Sequence, residues 1–282
     1  MFERFRRSVE LTKASLAVLR ADRELLIYPL ISFVGVALVS ISFAVPFLVT
    51  GAFTRTTESG VDPVTLALGF AYYVVIYTVI FFFNTALVGA AMIRLDGGNP
   101  TLSDGFRIAA SRLPAIIGYA ALAATVGMVL RAISERVGLL GQLVVGLIGF
   151  AWNVATFLVV PVLVVEGVGP VEAIKRSAGL LRKTWGEQLI GNVGIGLVFG
   201  LLTLGVFIVG GLLVALLASI SGLLALVAVV ALIVAVAILA LVGSAVGGIF
   251  TASLYRYATT GDAGPMFQTE TVAAAFRPKG SR

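Results

Sequence analysis

The polar side chains set inside apolar stretches are the first candidates for chemistry, and they are few. Asn84 and Thr85 share one stretch, Asn153 and Thr156 another, and Asn192 opens a third. Asn84 precedes Pro100 by 16 positions and Asn153 precedes Pro170 by 17, which gives them comparable depth. An amide both donates and accepts, so it suits a hydrogen bond between helices, contributing about 0.6 kcal/mol on average, or a contact to a substrate. No Asp, Glu, Lys or Arg lies in the middle of an apolar stretch, which argues against an ion pathway or proton relay. Histidine and cysteine are absent. That excludes disulfides, thiolate chemistry, histidine ligation of haem and the usual zinc sites. Any metal would need ligands that are all oxygen. Gly191-x-x-Gly194-x-Gly196 follows no strand, so it is not a nucleotide loop. With no acid, base and nucleophile constellation, no enzyme, catalytic residue, cofactor or metal is expected.

The elements that must position these residues follow from composition. The chain is 59% hydrophobic and 12% charged, with a mean hydropathy of +1.08, whereas a soluble domain carries about a quarter charged residues. Its apolar runs are continuous over about 20 residues rather than alternating, which selects membrane helices over a barrel. The expected fold class is an all-α polytopic bundle of six spans plus three amphipathic helices. The spans fall at residues 25–50, 64–93, 114–130 and 142–165, with two more between 188 and 257. Ser219, Ser221 and Gly222 form the only plausible turn in that final block, which favours two long helices over three short ones. The first apolar run exceeds the about 7–15 residues of a signal-peptide core, so it reads as a retained span. Pro161 interrupts span 4 and frees the carbonyl of Phe157. A kink is the plain consequence, and a hinge the sharper one. Gly196-x-x-x-Gly200 and Gly243-x-x-x-Gly247 suit close helix packing.

Three segments carry an apolar stripe beside basic residues. In residues 2–20 the stripe is Phe2, Phe5, Val9, Leu16 and Leu19, with Thr12 in the gap and Arg6, Arg7, Lys13 and Arg20 elsewhere on the circumference. The second sets Phe106, Ala110 and Leu113 opposite Asp104, Arg107 and Arg112. The third sets Ile174, Ala178, Leu181 and Trp185 opposite Lys175, Arg176, Arg182 and Lys183. Such helices lie in the headgroup region, and their charges serve as interfacial anchors. Asp22 is placed to cap the first span. Each even-numbered span leaves through a similar turn: Asp96-Gly97-Gly98-Asn99-Pro100, Glu166-Gly167-Val168-Gly169-Pro170 and, more loosely, Gly261-Asp262-Ala263-Gly264-Pro265. Glu166 and Asp96 are expected to pair with the basic helix that follows each. The recurrence suggests one transmembrane domain over residues 1–261, built from repeat units at about 1–97, 98–167 and 168–261. A polar, mobile cytoplasmic tail is expected at 262–282. With both termini inside, only Arg55, Arg131 and Arg136 lie outside, leaving 17 of the 20 basic residues within, as the positive-inside rule requires.

Ala155-Thr156-Phe157 through Pro161, Glu166, Pro170, Ala173-Ile174-Lys175-Arg176-Ser177 and Trp185-Gly186 form a middle motif. Leu19 to Pro29 and Leu254 to Gly261 form an opening and a closing one. Together these resemble a family of prokaryotic six-span integral membrane proteins of unknown function. The family is similar in layout to the membrane domain of certain glycerophosphoryl diester phosphodiesterases. The resemblance implies no active residues. The phosphodiesterase works through a soluble barrel with acidic and histidine residues, and this chain has neither that barrel nor a histidine.

The leading expectation is therefore a non-enzymatic protein of the cytoplasmic membrane with a scaffold, lipid-interacting or accessory-subunit role. Its partners are the bilayer, anionic lipid in particular, and a membrane or cytoplasmic protein. No basic groove interleaved with aromatics points to nucleic acid. The alternative is a transporter or permease for a small or amphiphilic solute, with its site near Asn84, Asn153 and Asn192. Substrate, partner and oligomeric state are not encoded in any motif.

Overall fold

The computed structural model describes residues 2–49, 56, 57, 60, 61, 63–185, 195–268 and 272. Asn192 lies outside the described residues, as do the side chains of Phe2, Phe5, Arg7 and Trp185. The architecture is all-α. Helix α1 spans Phe2–Ala21, and a 3-10 turn at Arg23–Leu26 leads into α2 (Ile27–Val49). Thr56 and Thr57 then pair with Val61 and Gly60 in a minimal antiparallel ladder. The helices that follow are α3 (Pro63–Leu95), α4 (Leu102–Ser111), α5 (Leu113–Ser134), α6 (Leu139–Ala155), α7 (Val159–Glu166), α8 (Pro170–Trp185), α9 (Ile195–Ala218) and α10 (Gly222–Thr260). Proline opens α3 and α8 and occupies the first turn of α5, where its missing N–H has no helical partner to lose.

Among the described residues, six helical segments are long and apolar enough to cross a membrane: Arg23–Val49, Pro63–Leu95, Leu113–Ser134, Leu139–Glu166, Val198–Ala218 and Gly222–Thr260. The final block is thus two helices, turning at Ser219–Ser221 as expected. At about 1.5 Å per residue, the 39 residues of α10 reach about 58 Å, well beyond a hydrocarbon core of about 30 Å. Large apolar side chains project outward along these helices. Examples are Phe33, Ile41 and Leu48 on α2, Leu143 and Leu147 on α6, Val209 and Leu212 on α9, and Leu223 and Ile233 on α10. No soluble domain exposes such a continuous apolar surface.

The chain forms two compact units. The first comprises Met1–Leu26, Ala91–Asn99 and Trp185–Arg282. Here α1 packs on α9 and α10, and the core gathers Val18, Leu25, Leu95, Ile249, Leu254 and Tyr255. The second comprises Ile27–Ala90 and Pro100–Thr184, with a core of Tyr28, Leu87, Ile116, Leu158 and Leu163.

The charged helices bury a stripe rotated from the expected one, and the two share Thr12, Leu19 and Leu181. On α1 the buried residues are Ser8, Leu11, Thr12, Ser15, Val18 and Leu19, while Val9 and Leu16 are only half-buried. On α4 they are Gly105 and Ala109, with Phe106 half-buried and Ala110 and Leu113 exposed. On α8 they are Ala173, Ser177, Leu180 and Leu181, with Ile174 and Ala178 half-buried. Small residues such as Ser15, Gly105, Ala109, Ala173 and Ser177 let each backbone approach its neighbour closely, and Leu11, Val18, Leu180 and Leu181 complete the buried faces.

Span 4 breaks where Pro161 requires it. Residues 156–158 form a turn between α6 and α7, one helical turn before the proline whose ring would meet the Phe157 carbonyl. The freed N–H of Leu158 donates to Ser177 Oγ at 3.0 Å. The start of the expected tail is ordered: Ala263 and Phe267 are buried, and Ser253 Oγ donates to the Ala263 carbonyl at 2.8 Å. An apolar residue on either side of Gly264 gives this stretch a reason to fold back. Of the glycine pairs, Gly200 and Gly247 face open space, and a Cβ at Gly243 would stand 3.0 Å from the Phe199 ring; the surroundings of Gly196 lie outside the described residues.

Candidate functional site

Local chemistry shapes the three exits from the even-numbered spans. Gly97, Gly167 and Gly261 follow α3, α7 and α10 with φ of 87°, 65° and 78°. This left-handed region closes a helix at little cost only for glycine. Each turn brings an acidic residue to the end of its span, and the structure decides which cation it meets.

In the first unit, Asp22 receives Nε and an Nη of Arg94 in a bidentate fork, rather than capping a helix as expected. An Nη of Arg94 also donates to Asn99 at 2.6 Å. The Arg94 and Asp22 side chains are 21% and 11% exposed, so this pair is shielded from most of the solvent. Asp96 does not pair with the basic helix that follows it. It meets Arg256, 160 positions away, and Arg256 also holds Asp262 at 3.0 Å. Arg94 and Arg256 thus neutralise carboxylates while tying the ends of α3 and α10 to chain segments beside them.

In the second unit, Glu166 pairs with Arg176, whose Nε lies 3.1 Å from Oε2. Arg112 donates from Nη2 to the Val164 carbonyl at 3.3 Å, a cation placed on the C-terminal carbonyls of α7. A side chain at Gly167 would collide with this guanidinium. Helix α4 starts with a capping box missed in the sequence: Asp104 N donates to Thr101 Oγ1 at 3.3 Å, and Thr101 N donates to Asp104 Oδ2 at 3.0 Å. Hydrogen bonds from the Thr101 hydroxyl and N–H, aided by Arg107, hold the Asp104 carboxyl below its ordinary range. The T-x-x-D spacing could have revealed it.

Tyr28 is the other residue that sequence reasoning missed. It is buried, donates to the Leu102 carbonyl at 3.1 Å and meets Phe106 edge-on at 5.4 Å. Position 105 is glycine because a Cβ there would stand 2.1 Å from the Tyr28 hydroxyl and 2.7 Å from the Ala86 carbonyl.

The expected intramembrane amides are not gathered into a site. Asn84 is half-buried and Asn153 exposed, and neither side chain bonds another described residue. The expected anchors divide into two kinds. Arg6 pairs with Glu10 at 3.5 Å and Arg107 with Asp104 at 3.6 Å. Lys13, Arg20, Lys175, Arg182 and Lys183 are exposed and have no ionic partner among the described residues. No group of three or more acidic residues is placed to hold a metal among the described residues. What the arrangement offers is a set of uncommitted cations on α1 and α8, each on the face away from its buried stripe.

Six apolar helices with outward-facing side chains, and charged helices packed through small residues, define a polytopic α-helical membrane protein. The chain belongs to the family of unknown function DUF6159, whose model matches residues 63–267. The match runs from the start of α3 through the turn after α10. No curated protein matches the chain.

Proposed function

We propose that this is a non-enzymatic protein of the cytoplasmic membrane whose basic helices α1, α4 and α8 lie at the cytosolic surface and gather anionic lipid. In this role it serves as a scaffold or as the accessory subunit of a larger membrane assembly. The observation that carries the proposal is the exposed set Lys13, Arg20, Lys175, Arg182 and Lys183, without ionic partners among the described residues. Near an anionic surface each such charge contributes about 1 kcal/mol. Both termini are cytosolic in this view, and the three glycine exits belong to a threefold repeat. The layout shared with the phosphodiesterase membrane domain is one of membrane architecture, without its catalysis. The alternative is a transporter or permease for a small or amphiphilic solute, with its site near Asn84 and Asn153, whose side chains make no hydrogen bond among the described residues.

Extraction with surrounding lipid into polymer nanodiscs tests the proposal. Anionic lipid should be enriched around the protein relative to the bulk membrane. Replacing the five unpaired cations with Gln should abolish the enrichment while the fold is retained; equal lipid composition around both proteins would overturn the idea. Orientation has its own test, since the chain has no cysteine. A membrane-impermeant maleimide should label Arg136→Cys in intact cells and leave Lys13→Cys unlabelled. The reverse pattern would refute a cytosolic α1.

A further inference from the structure

A crevice of about 100 Å³ opens between α3 and α5, lined by Tyr73, Tyr77, Ala124, Gly127, Met128 and Arg131. It lies within the second unit, toward the N-terminal half of α3 and the C-terminal end of α5. Its size restricts the occupant. Sites that enclose a whole small ligand run from about 300 Å³ upward, so only part of a molecule enters, and the remainder must lie along the apolar outer surface. Its chemistry is that of an interface: two phenols and a guanidinium above an apolar floor. Tyr77 stacks on Phe81 at 5.7 Å and Phe81 on Tyr119 at 4.5 Å, so an aromatic wall continues from the crevice toward the middle of α3. Tyrosines of this kind mark the level where headgroups meet hydrocarbon.

Arg131 caps the crevice. Its Nε donates to Glu135 Oε1 at 2.8 Å and its guanidinium also engages the Tyr73 hydroxyl, which leaves the rest of its five N–H donors for a ligand. Exposed Arg136 beside it leaves this end with a positive excess over Glu135. Gly127 keeps the crevice open: a Cβ there would find only the Tyr77 hydroxyl, at 3.9 Å. Packing does not therefore require glycine at this position.

We propose that the crevice binds one anionic phospholipid, with its phosphate on the free donors of Arg131 and its acyl chain along the Tyr77–Phe81 wall. Tyr73 and Arg131 lie toward the ends of α3 and α5 that are away from α4, so the site is independent of the role proposed for the basic helices.

Native mass spectrometry of the purified full chain, offered phosphatidylglycerol and phosphatidylcholine, reads the site directly. One phosphatidylglycerol should be retained in preference to phosphatidylcholine. Arg131→Gln should lower its occupancy about tenfold, the scale of one hydrogen bond to a charged group. Gly127→Leu, whose Cβ would meet only the Tyr77 hydroxyl at 3.9 Å and whose side chain adds bulk to the crevice lining, should do the same. Lys175→Gln/Lys183→Gln should leave this single lipid in place, which separates the site from the surface charges. No preference for the anionic lipid, or retention unchanged in both crevice variants, would overturn the proposal. Inorganic phosphate binding in lipid-free detergent as strongly as the lipid would also overturn it, because the source would then be a soluble anion.

Discussion

Helices α1 and α8 present the same buried face to different surroundings. Leu11, Ser15, Val18 and Leu19 on α1 match Ala173, Ser177, Leu180 and Leu181 on α8 in spacing and burial. The two serines are both fully buried, yet they do different work. Ser177 accepts the Leu158 N–H, which the break before Pro161 has set free. Ser15 belongs to a helix that packs on unbroken α10, and its Oγ has no hydrogen-bond partner among the described residues. The same residue at the same place is thus a required acceptor beside a broken span and a space-filling small residue beside a continuous one. Helix α4 carries the small-residue principle furthest, with Gly105 where α8 has Ala173 and α1 has Leu11.

Gly105→Ala should break this comparison most severely. In an exposed helix the change stabilises by up to about 1 kcal/mol, but here the methyl meets Tyr28 and the Ala86 carbonyl. A loss of about 3 kcal/mol is expected, seen as a collapsed monodisperse peak in fluorescence-detected chromatography, whereas Ala173→Gly should remain monodisperse. Asp22→Asn, which leaves Arg94 shielded without its counter-ion, should cost a similar or slightly smaller amount, about 2–3 kcal/mol. Glu166→Gln should cost under about 1 kcal/mol, because Arg176 is 55% exposed. Equal drops in unfolding temperature for these two would refute the distinction between the exits. Ser177→Ala should destabilise by about 2 kcal/mol through the orphaned Leu158 N–H, while Ser15→Ala is neutral or stabilising. Amide exchange at Leu158 reads the difference.

The smallest effect concerns pH. The Asp104 carboxyl titrates below its unfolded value near about 3.9, so its contribution is complete above that value. It is lost as pH falls through the lower folded value. Protection of α4 amides should decline below about pH 4, and Thr101→Ala should remove that step while leaving the rest of the profile unchanged.

Hydropathy made most of the fold legible. The six spans, the two-helix final block and the glycine exits were all readable because each depends on local composition or on a short turn. The break in span 4 was legible from Pro161 alone, although its partner Ser177 was not. Less of the site could be read. Glu166 met Arg176, a nearby cation on the next helix, but Asp96 met Arg256 from the far end of the chain. Asp22 met Arg94 rather than a helix end. The buried stripes on α1, α4 and α8 are rotated from the apolar faces visible in sequence, with Thr12, Leu19 and Leu181 common to both. In a bilayer large apolar side chains have an apolar solvent of their own, and close approach favours Gly, Ala and Ser.

By itself, then, the sequence determined an all-α membrane protein, its span boundaries, its turns and the concentration of basic residues beside the exits. These properties accumulate residue by residue, from transfer into lipid and from backbone geometry. Only the tertiary structure decided which charges are spent in pairs and which stay uncommitted, and which serine carries a hydrogen bond. Those outcomes depend on distances of a few ångströms between segments up to 160 positions apart, and no local pattern encodes such distances.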